Sequence, residues 1–301
     1  MNEILSVQHV TKTIKSHTIL DDISFSIHEK EILGMVGPNG AGKSTLMKCI
    51  ATIYFPNQGN IQILGKDVMK EHEQAMKNLG ISIEQPVLYP NLNGHEHFQL
   101  VAGYKKADKE KIKELEDFCG LHEKLKDKTR TYSMGMKQRM ALSLALMNDP
   151  KLIILDEPTN GLDPQSIILL REQIKHIKEK GSSILISSHS LSEIENFADR
   201  IIFIDHGKLI KDVAIQEIMK NSLLYVFTVQ DTTKAETIIN TLTQCHVLNK
   251  KDHELTCRFD SEKAFSKALS ALACHVEIYN IRQQSSSLEM YYQTLYGDSY
   301  D

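Results

Sequence analysis

Residues 31–50 contain the segment that most restricts how this chain can fold. An apolar run, Glu31-Ile-Leu-Gly-Met-Val36, precedes Gly37-Pro-Asn-Gly-Ala-Gly-Lys-Ser44, and the helix-compatible stretch Ser44–Ile50 follows. The middle segment fits the P-loop pattern G-x-x-x-x-G-K-[ST], in which glycines let successive backbone N–H groups face one anion. A buried strand, a glycine-rich loop and a helix in this order predict an α/β core with a phosphate site at the helix N-terminus.

The same loop carries side chains suited to ATP and Mg²⁺. We expect Lys43 to reach the β- and γ-phosphates and the Ser44 hydroxyl to ligate Mg²⁺. The helix N-terminus adds about half a positive charge at this point. The predicted nucleotide-binding residues of the loop are Gly37, Pro38, Asn39, Gly40, Ala41, Gly42, Lys43, Ser44 and Thr45.

A second apolar strand ends in two acidic residues. Leu152-Ile-Ile-Leu155 is a run typical of a strand buried on both faces, and Asp156-Glu157-Pro158 follows it directly. The carboxyl end of a central parallel strand faces the crevice in which such sheets bind ligands. We therefore expect Asp156 in the Mg²⁺ shell and Glu157 as the group that orients and polarises the attacking water.

Three further segments resemble the ATP-binding cassette (ABC) family, the nucleotide-binding subunits of membrane transporters. They are Tyr132-Ser-Met-Gly-Met-Lys-Gln-Arg139, Asn160-Gly-Leu-Asp163, and His189 after the apolar run Ile184–Ile186. The first is similar to the family's signature sequence LSGGQ, the second to its D-loop and the third to its switch histidine. Together with the two phosphate motifs they occur in the order typical of that family.

The resemblance implies an ATPase that works as a face-to-face pair of chains, either a homodimer or a heterodimer. Ser133 and Gly135 then contact the nucleotide bound to the opposite chain, because the signature opens a helix whose N-terminus points at the γ-phosphate. His189 contacts the γ-phosphate and forms the catalytic set together with Glu157.

Three elements of the family pattern are altered: the signature, the Q-loop and the adenine-stacking position. The signature reads YSMGM, so Met134 and Met136 replace a glycine and a glutamine; we expect fewer polar contacts across the dimer but continued turnover. The Q-loop glutamine corresponds to Glu84, which becomes a third candidate Mg²⁺ ligand, with Gln85 beside it as the alternative. Ile14 occupies the position of the aromatic residue that stacks on adenine, so we expect weaker discrimination between ATP and GTP.

The length of the chain allows two domains, or one domain with inserts, and its composition is ordinary for a globular protein. The 301 residues include 41% hydrophobic and 25% charged residues. No apolar run reaches the length of about 18 residues that a membrane span needs. The N-terminus lacks the layout of a signal peptide, so we expect the chain in the cytoplasm. The resemblance implies a place at the inner face of the bacterial membrane, held there by a permease. A formal net charge of −4 argues against a nucleic-acid partner.

Cysteines and histidines do not form a recognisable metal motif. The five cysteines are scattered without C-x-x-C spacing, which predicts reduced thiols. His95 and His97 are predicted to be surface polar residues, because positions i and i+2 do not share a helix face.

The order of apolar segments predicts an α/β core, and with the resemblance it implies the fold class: a P-loop NTPase core of the ABC type with an antiparallel β subdomain, an α-helical subdomain and a small C-terminal domain. Alternating segments in residues 1–30 predict the antiparallel sheet, and Gln58–Asn60 is predicted to be a turn. The helical subdomain is expected at about 90–148, which in the family is the usual docking surface for a permease. The ABC ATP-binding domain as a whole is expected to span residues 1–220.

Residues 221–301 are predicted to form an α+β accessory domain. Strand-like and helix-like segments follow the order β-α-β-β-α-β, which is a ferredoxin-like pattern. A terminal helix over Ser287–Leu295 is expected to pack back on the chain. This region carries no catalytic set, so the domain is interpreted either as regulatory or dimer-stabilising, or as a passive appendage.

The motifs and the resemblance predict the ATP-hydrolysing subunit of an ABC exporter with a separate permease. The stretch Ile83–Gly94, the signature and the C-terminal domain resemble the subgroup for peptide-antibiotic export and immunity, of the bacitracin and lantibiotic type. One alternative is a non-transport cassette ATPase acting on ribosomes or DNA, whose relatives usually carry two cassettes or a long coiled coil. Another is a non-hydrolysing regulatory subunit, which the altered signature favours and the intact catalytic residues disfavour.

Overall fold

Two units, residues 1–212 and 213–301, make up the fold in the computed structural model. The structure describes residues 2–83, 86–220 and 223–284, together with residues 288, 291 and 292. The strands are β1 (Glu3–Ile14), β2 (His17–His28), β3 (Ile32–Val36), β4 (Gln58–Ile63), β5 (Lys66–Asp67), β6 (Leu79–Ser82), β7 (Leu152–Leu155), β8 (Ser183–Ser187), β9 (Arg200–Asp205), β10 (Lys208–Ala214), β11 (Leu223–Val229), β12 (Cys245–Lys251), β13 (Glu254–Phe259) and β14 (Ile278–Gln284).

Helices alternate with many of these strands along the chain. They are α1 (Lys43–Ile50), α2 (His72–Met76), α3 (Gly94–Lys105), α4 (Lys109–Cys119), α5 (Met134–Ala145), α6 (Pro164–Glu179), α7 (Leu191–Phe197), α8 (Ile215–Lys220), α9 (Thr232–Asn240) and α10 (Glu262–Ala273), with short 3₁₀ helices at His122–Lys126 and Thr129–Thr131. Within the residues that the structure describes, no helix has the length and apolar character needed to cross a membrane.

A six-stranded sheet in the order β10-β9-β3-β8-β7-β6 forms the centre of the first unit. The pairs from β9 through β6 are parallel. Strands β3, β7 and β8 are buried along their whole length, and their sequences are apolar except for Ser183 and Ser187 at the two ends of β8. Because the carboxyl ends of parallel strands meet at one edge of the sheet, the loops after β3, β8 and β7 lie side by side.

The predicted antiparallel subdomain is a four-stranded sheet in the order β2-β1-β4-β5. The prediction of a turn at Gln58–Asn60 is wrong, because these residues begin β4, which pairs with β1. Gly59 has φ 90°, and a Cβ placed on it would lie 2.3 Å from the carbonyl oxygen of His9. Gly59 therefore lets the backbone of β4 come close to β1 at the point where the register between the two strands shifts, and it does not reverse the chain.

Helices α3, α4 and α5 form the helical subdomain of the first unit. The Asn93 side chain caps α3 and forms a capping box with Glu96. The Asp108 side chain caps α4 by accepting a hydrogen bond from the backbone N–H of Lys111. Phe98 and Leu115 belong to the buried cluster that holds these helices together.

The prediction that His95 and His97 are both surface residues is wrong for His97. His97 is only 3% exposed, and its Nε2 accepts a hydrogen bond from the backbone N–H of Tyr89 at 2.9 Å. His95 instead pairs with Glu116 at 2.7 Å. In the described ranges, no group of three or more His, Cys, Asp and Glu side chains is arranged to hold a metal ion.

The second unit has the predicted ferredoxin-like arrangement. Its antiparallel sheet has the order β12-β13-β11-β14, and α9 and α10 contribute to the same buried cluster as the strands. The rings of Tyr225 and Phe265 stack with centroids 3.8 Å apart within this cluster. The predicted fold class is thus confirmed. Most of the predicted terminal helix, Ser287–Leu295, lies outside the described residues. Leu288, which is described, is buried.

The cysteines behave as small apolar side chains. Cys49, Cys119, Cys245 and Cys257 are buried and Cys274 is exposed, and all five are free thiols. Burial raises the pKa of Cys49 and of Cys119 to about 11, and that of Cys257 to about 12. The buried thiols are therefore poor nucleophiles at neutral pH.

Candidate nucleotide-binding site

A cavity of about 520 Å³ lies where α1 begins. Its lining comes from the loops after β3, β7 and β8 and from one side chain of β2: residues 39–45, Glu157, Asn160, His189 and Ile19. The order of strands in the central sheet thus brings together three sequence segments that are far apart in the chain, and β2 of the antiparallel sheet adds the fourth.

Glycines shape the loop between β3 and α1. Gly42 has φ 107°, and a Cβ on it would lie 2.9 Å from the carbonyl oxygen of Ile19. A Cβ on Gly37 would lie 2.0 Å from the carbonyl oxygen of Ile204. Because backbone atoms block both positions, no other residue fits there without a shift of the loop.

Lys43 lies inside the loop and is only 6% exposed. Its Nζ donates hydrogen bonds to the carbonyl oxygens of Gly37 at 2.7 Å and of Pro38 at 3.2 Å. Burial lowers the pKa of Lys43, although the Glu157 and Asp156 carboxylates act in the opposite direction. A bound anion would therefore stabilise the charged form of the Lys43 ammonium group at this buried position.

Asp156 and Ser187 join the ends of β7 and β8. The Ser187 hydroxyl donates to Oδ1 of Asp156 at 2.6 Å and accepts a hydrogen bond from the backbone N–H of Glu157 at 2.9 Å. Asp156 is 4% exposed and Ser187 is fully buried. Sequence reasoning missed Ser187; the available signal was a hydroxyl at the end of the apolar run Ile184–Ile186, beside the acidic strand end.

Glu157 and His189 form the polar wall of the cavity. The Nδ1 atom of His189 lies 2.6 Å from Oε2 of Glu157. A carboxylate only accepts hydrogen bonds, so this contact requires a proton on Nδ1. Glu157 also has a left-handed backbone with φ 48°, which is uncommon for a glutamate and frequent at functional sites. The arrangement can orient a water molecule and accept its proton.

Oxygen atoms at this site suit Mg²⁺. Ser44 lines the cavity with its neighbours in the loop, and the hydrogen bond from Ser187 engages only one oxygen of Asp156. Hydroxyl and carboxylate oxygens are the ligands that this ion prefers. Glu84, the third predicted ligand, and Gln85 lie outside the described residues.

Comparisons with known proteins agree on one family. Residues 20–160 match the family model described as ABC transporter. The chain is 36% identical over 303 aligned positions to the uncharacterized ABC transporter ATP-binding protein YhcH of Bacillus subtilis (strain 168), covering 99% of this chain and 98% of that protein. This chain belongs to the ABC transporter ATP-binding proteins. Membership of this ATPase family implies binding and hydrolysis of ATP.

Two further comparisons support the same assignment. The ABC protein is 33% identical over 305 aligned positions to the bacitracin transport ATP-binding protein BcrA of Enterococcus faecalis, covering 99% of this chain and 97% of that protein. A solved structure described as an ATP binding subunit of an ABC transporter superposes with a TM-score of 0.67 at 30% identity. That alignment covers 72% of this chain and 92% of the solved chain.

The predicted signature segment packs against α6 and against Asn160–Asp163, the predicted D-loop. Ser133 is the N-cap of α5, and its hydroxyl accepts a backbone hydrogen bond from the first turn. A Cβ on Gly135 would lie 2.4 Å from Oγ of Ser166, and the Cγ atom of Met134 lies 3.8 Å from the Cβ position of Gly161. Neither Ser133 nor Gly135 is among the described residues that line the cavity at the start of α1.

Aliphatic side chains occupy the region where the family pattern places an adenine-stacking ring. Ile14 ends β1 and is half-buried, and a two-residue turn, Lys15–Ser16, leads into β2. Ile19 of β2 lines the cavity. The nearest ring in the sequence, His17, is exposed.

Proposed function

We propose that this ABC protein hydrolyses ATP to power the export of a peptide antibiotic or a related amphipathic compound through a separate permease. The hydrogen-bonded Glu157–His189 pair beside the phosphate loop is the observation that carries the hydrolytic step. Similarity to BcrA over nearly the full length of both chains supports the cargo class.

ATP binds with its phosphates along residues 37–45 in this proposal. Backbone N–H groups of the loop and the N-terminus of α1 face the anion, and Lys43 donates to the β- and γ-phosphate oxygens. Since Lys43 is already buried, it interacts with phosphate more strongly than an exposed lysine would. Ser44 and Asp156, with Glu84 as a further candidate, would hold Mg²⁺, which neutralises phosphate charge when bound.

Glu157 acts on the attacking water. The proton on Nδ1 of His189 holds one carboxylate oxygen of Glu157, which leaves Oε1 to accept a hydrogen bond from water. Polarising this water promotes in-line attack on the γ-phosphate. The carboxylate is oriented before the reaction, so little reorganisation is needed in the transition state.

A second ABC chain completes the site. In the proposed dimer, Ser133 and Gly135 of one chain contact the γ-phosphate on the other, and ATP favours the closed pair because it binds that state more tightly. Loss of the γ-phosphate then removes the contact between the chains. The location of the signature outside its own phosphate cavity supports this arrangement. The pair is either two copies of this chain or this chain with a relative.

The permease is proposed to dock near the helical subdomain. Val87 and Tyr89, which follow the predicted Q-loop, are 94% and 64% exposed, and Tyr104 at the end of α3 is 81% exposed. Exposed apolar and aromatic side chains of this kind are typical of interaction surfaces. Docking would hold the protein at the cytoplasmic face of the bacterial membrane.

Co-purification tests the transporter role. A tagged Glu157→Gln chain is isolated from detergent-solubilised membranes of the native source in the presence of ATP, and its partners are identified by mass spectrometry. We expect an integral-membrane protein in the complex, and its loss when Lys43→Ala removes ATP binding. Ribosomal or DNA-bound partners without a membrane protein would instead support the non-transport alternative.

Hydrolysis and cargo are tested separately. Phosphate release by the wild-type chain with its permease excludes the non-hydrolysing alternative. For the cargo, a strain lacking the gene is complemented with the wild-type chain or with Glu157→Gln and exposed to bacitracin, to a lantibiotic and to an unrelated small antibiotic. Restored resistance to a peptide antibiotic only with the wild-type chain supports the proposal; equal susceptibility of all strains to the peptides contradicts the cargo class.

A further inference from the structure

Glu193 connects the two loops that carry the catalytic pair. Its Oε2 atom accepts a hydrogen bond from the hydroxyl of Thr159 and another from the hydroxyl of Ser188 at 3.3 Å. Thr159 and Ser188 are 6% and 2% exposed. One carboxylate oxygen therefore holds two buried hydroxyls that belong to different loops.

Both hydroxyls lie next to groups of the site. Thr159 is two residues after Glu157, and its carbonyl accepts the Leu162 N–H at 3.1 Å, so it begins the D-loop turn. Ser188 directly precedes His189. A shift of either hydroxyl would therefore move a residue of the cavity wall with it.

A simpler role for Glu193 is excluded by the geometry of α7. The sequence Ser190-Leu-Ser-Glu193 matches the capping-box pattern, in which the glutamate side chain returns to the N-cap backbone N–H. In this protein the Ser190 backbone N–H donates to Oγ of Ser188 at 3.0 Å, and the Ser190 side chain makes no cap hydrogen bond. The Glu193 carboxylate is directed to the two loops rather than to its own helix end.

We propose that Glu193 is a positioning residue that fixes the segment Glu157–Asn160 against His189. This inference rests on the proposed function, because it assumes that Glu157 acts on the attacking water. Hydrogen bonds to a charged acceptor such as the Glu193 carboxylate are stronger than those between neutral groups. Removing this carboxylate would leave the buried hydroxyls of Thr159 and Ser188 without their acceptor. A displacement of about 1 Å in a reacting group can reduce the rate by about 100-fold.

Steady-state kinetics of the full-length chain, with its permease, measure this role. Glu193→Ala is expected to lower kcat by about 10- to 100-fold while KM for ATP changes by less than about twofold. Glu193→Gln is expected to retain most of the kcat, because its amide oxygen can accept both hydroxyl hydrogen bonds. Thr159→Val removes one hydroxyl at nearly constant volume and should lower kcat less; combined with Glu193→Ala, it should add little. Glu172→Ala, at an exposed carboxylate of α6, is the matched control.

Hydrogen exchange supplies a readout that does not depend on turnover. Glu193→Ala is expected to accelerate exchange of the amides in residues 157–162, where Asn160 N–H bonds to the Glu157 carbonyl, and to leave β7 unchanged. Wild-type kcat together with wild-type exchange in Glu193→Ala would overturn the positioning role. Equal losses in Glu193→Ala and Glu193→Gln, accompanied by exchange throughout the unit, would assign Glu193 to general stability instead.

The same pair of measurements separates this inference from the proposed function. If the wild-type chain with its permease does not hydrolyse ATP but Glu193→Ala still loosens residues 157–162, the positioning of these loops stands and the hydrolytic function fails. If the wild-type chain hydrolyses ATP and Glu193→Ala changes neither kcat nor exchange, only the positioning role fails.

Discussion

Both the backbone N–H and the Nδ1 atom of His189 face Oε2 of Glu157, at 3.3 and 2.6 Å. The two residues follow neighbouring parallel strands, β8 and β7. The carboxylate is thus oriented by the fold before any ligand binds, which is the condition under which electrostatic catalysis is most effective.

Glu157→Gln is expected to bind ATP normally but to lose more than about 100-fold in turnover, because the amide cannot act as a general base. Without hydrolysis, the ATP-bound pair should persist and be visible as a dimer by light scattering. Lys43→Ala, which removes the phosphate contact, is expected to show neither ATP binding nor the dimer. Undiminished hydrolysis in Glu157→Gln would contradict the role of Glu157.

Gly135→Ala is expected to disturb the signature, because the added Cβ would lie 2.4 Å from Oγ and 3.0 Å from Cβ of Ser166. Overpacking of this kind costs about 1–3 kcal/mol, and we expect turnover to fall about tenfold as α5 moves away from α6. The double variant Gly135→Ala, Ser166→Gly removes the clash and should recover much of the activity. Steady-state ATPase rates of the two variants decide between a steric effect and a direct contact with nucleotide, since the latter would not be rescued.

Ile14→Tyr is expected to tighten ATP binding about tenfold, because stacking of a base on an aromatic ring contributes about 1–3 kcal/mol. Isothermal titration with ATP and with GTP measures the change and its base preference. Leu248→Tyr, at an exposed position of β12, is the control for adding a ring elsewhere. Unchanged affinity in Ile14→Tyr would mean that adenine does not lie beside the end of β1.

Glu31→Gln is expected to destabilise the protein by about 1–2 kcal/mol at neutral pH, because Glu31 accepts a hydrogen bond from Nε of Arg200 at 2.6 Å. Burial raises the pKa of Glu31, but Arg200 and the backbone N–H of His28 outweigh it and hold the pKa below its ordinary value of 4.5. A carboxylate with a lowered pKa stabilises the fold above its unfolded pKa and loses this contribution as the pH falls through the folded value.

Thermal unfolding as a function of pH measures this contribution. The difference between wild type and Glu31→Gln should be constant near neutral pH and shrink below pH 4.5, the ordinary pKa of this side chain. Glu179→Gln, at an exposed carboxylate of α6, is expected to show little difference at any pH. A gap that stays the same in acid would show that Glu31 acts through packing rather than through its charge.

The amino-acid sequence alone determined the local elements of the site. Gly37 to Ser44 and the acidic end of β7 depend on residues a few positions apart, so the local pattern reveals them without the fold. The β-α-β-β-α-β order of the second unit was predictable for the same reason, because each segment carries its own periodicity.

Only the tertiary structure decided which distant groups meet. The contacts of Ser187 with Asp156 and of Glu193 with Thr159 join residues more than 30 positions apart, and they follow from the order of parallel strands rather than from any local pattern. The local sequence predicts a surface position for His97, but its ring is buried and accepts a hydrogen bond from the backbone of Tyr89. The local sequence likewise predicts a turn at Gln58–Asn60, but these residues pair with β1 and form a strand. The stabilisation from strand pairing and burial depends on neighbours in the assembled sheet and core. A short stretch of sequence therefore cannot predict it.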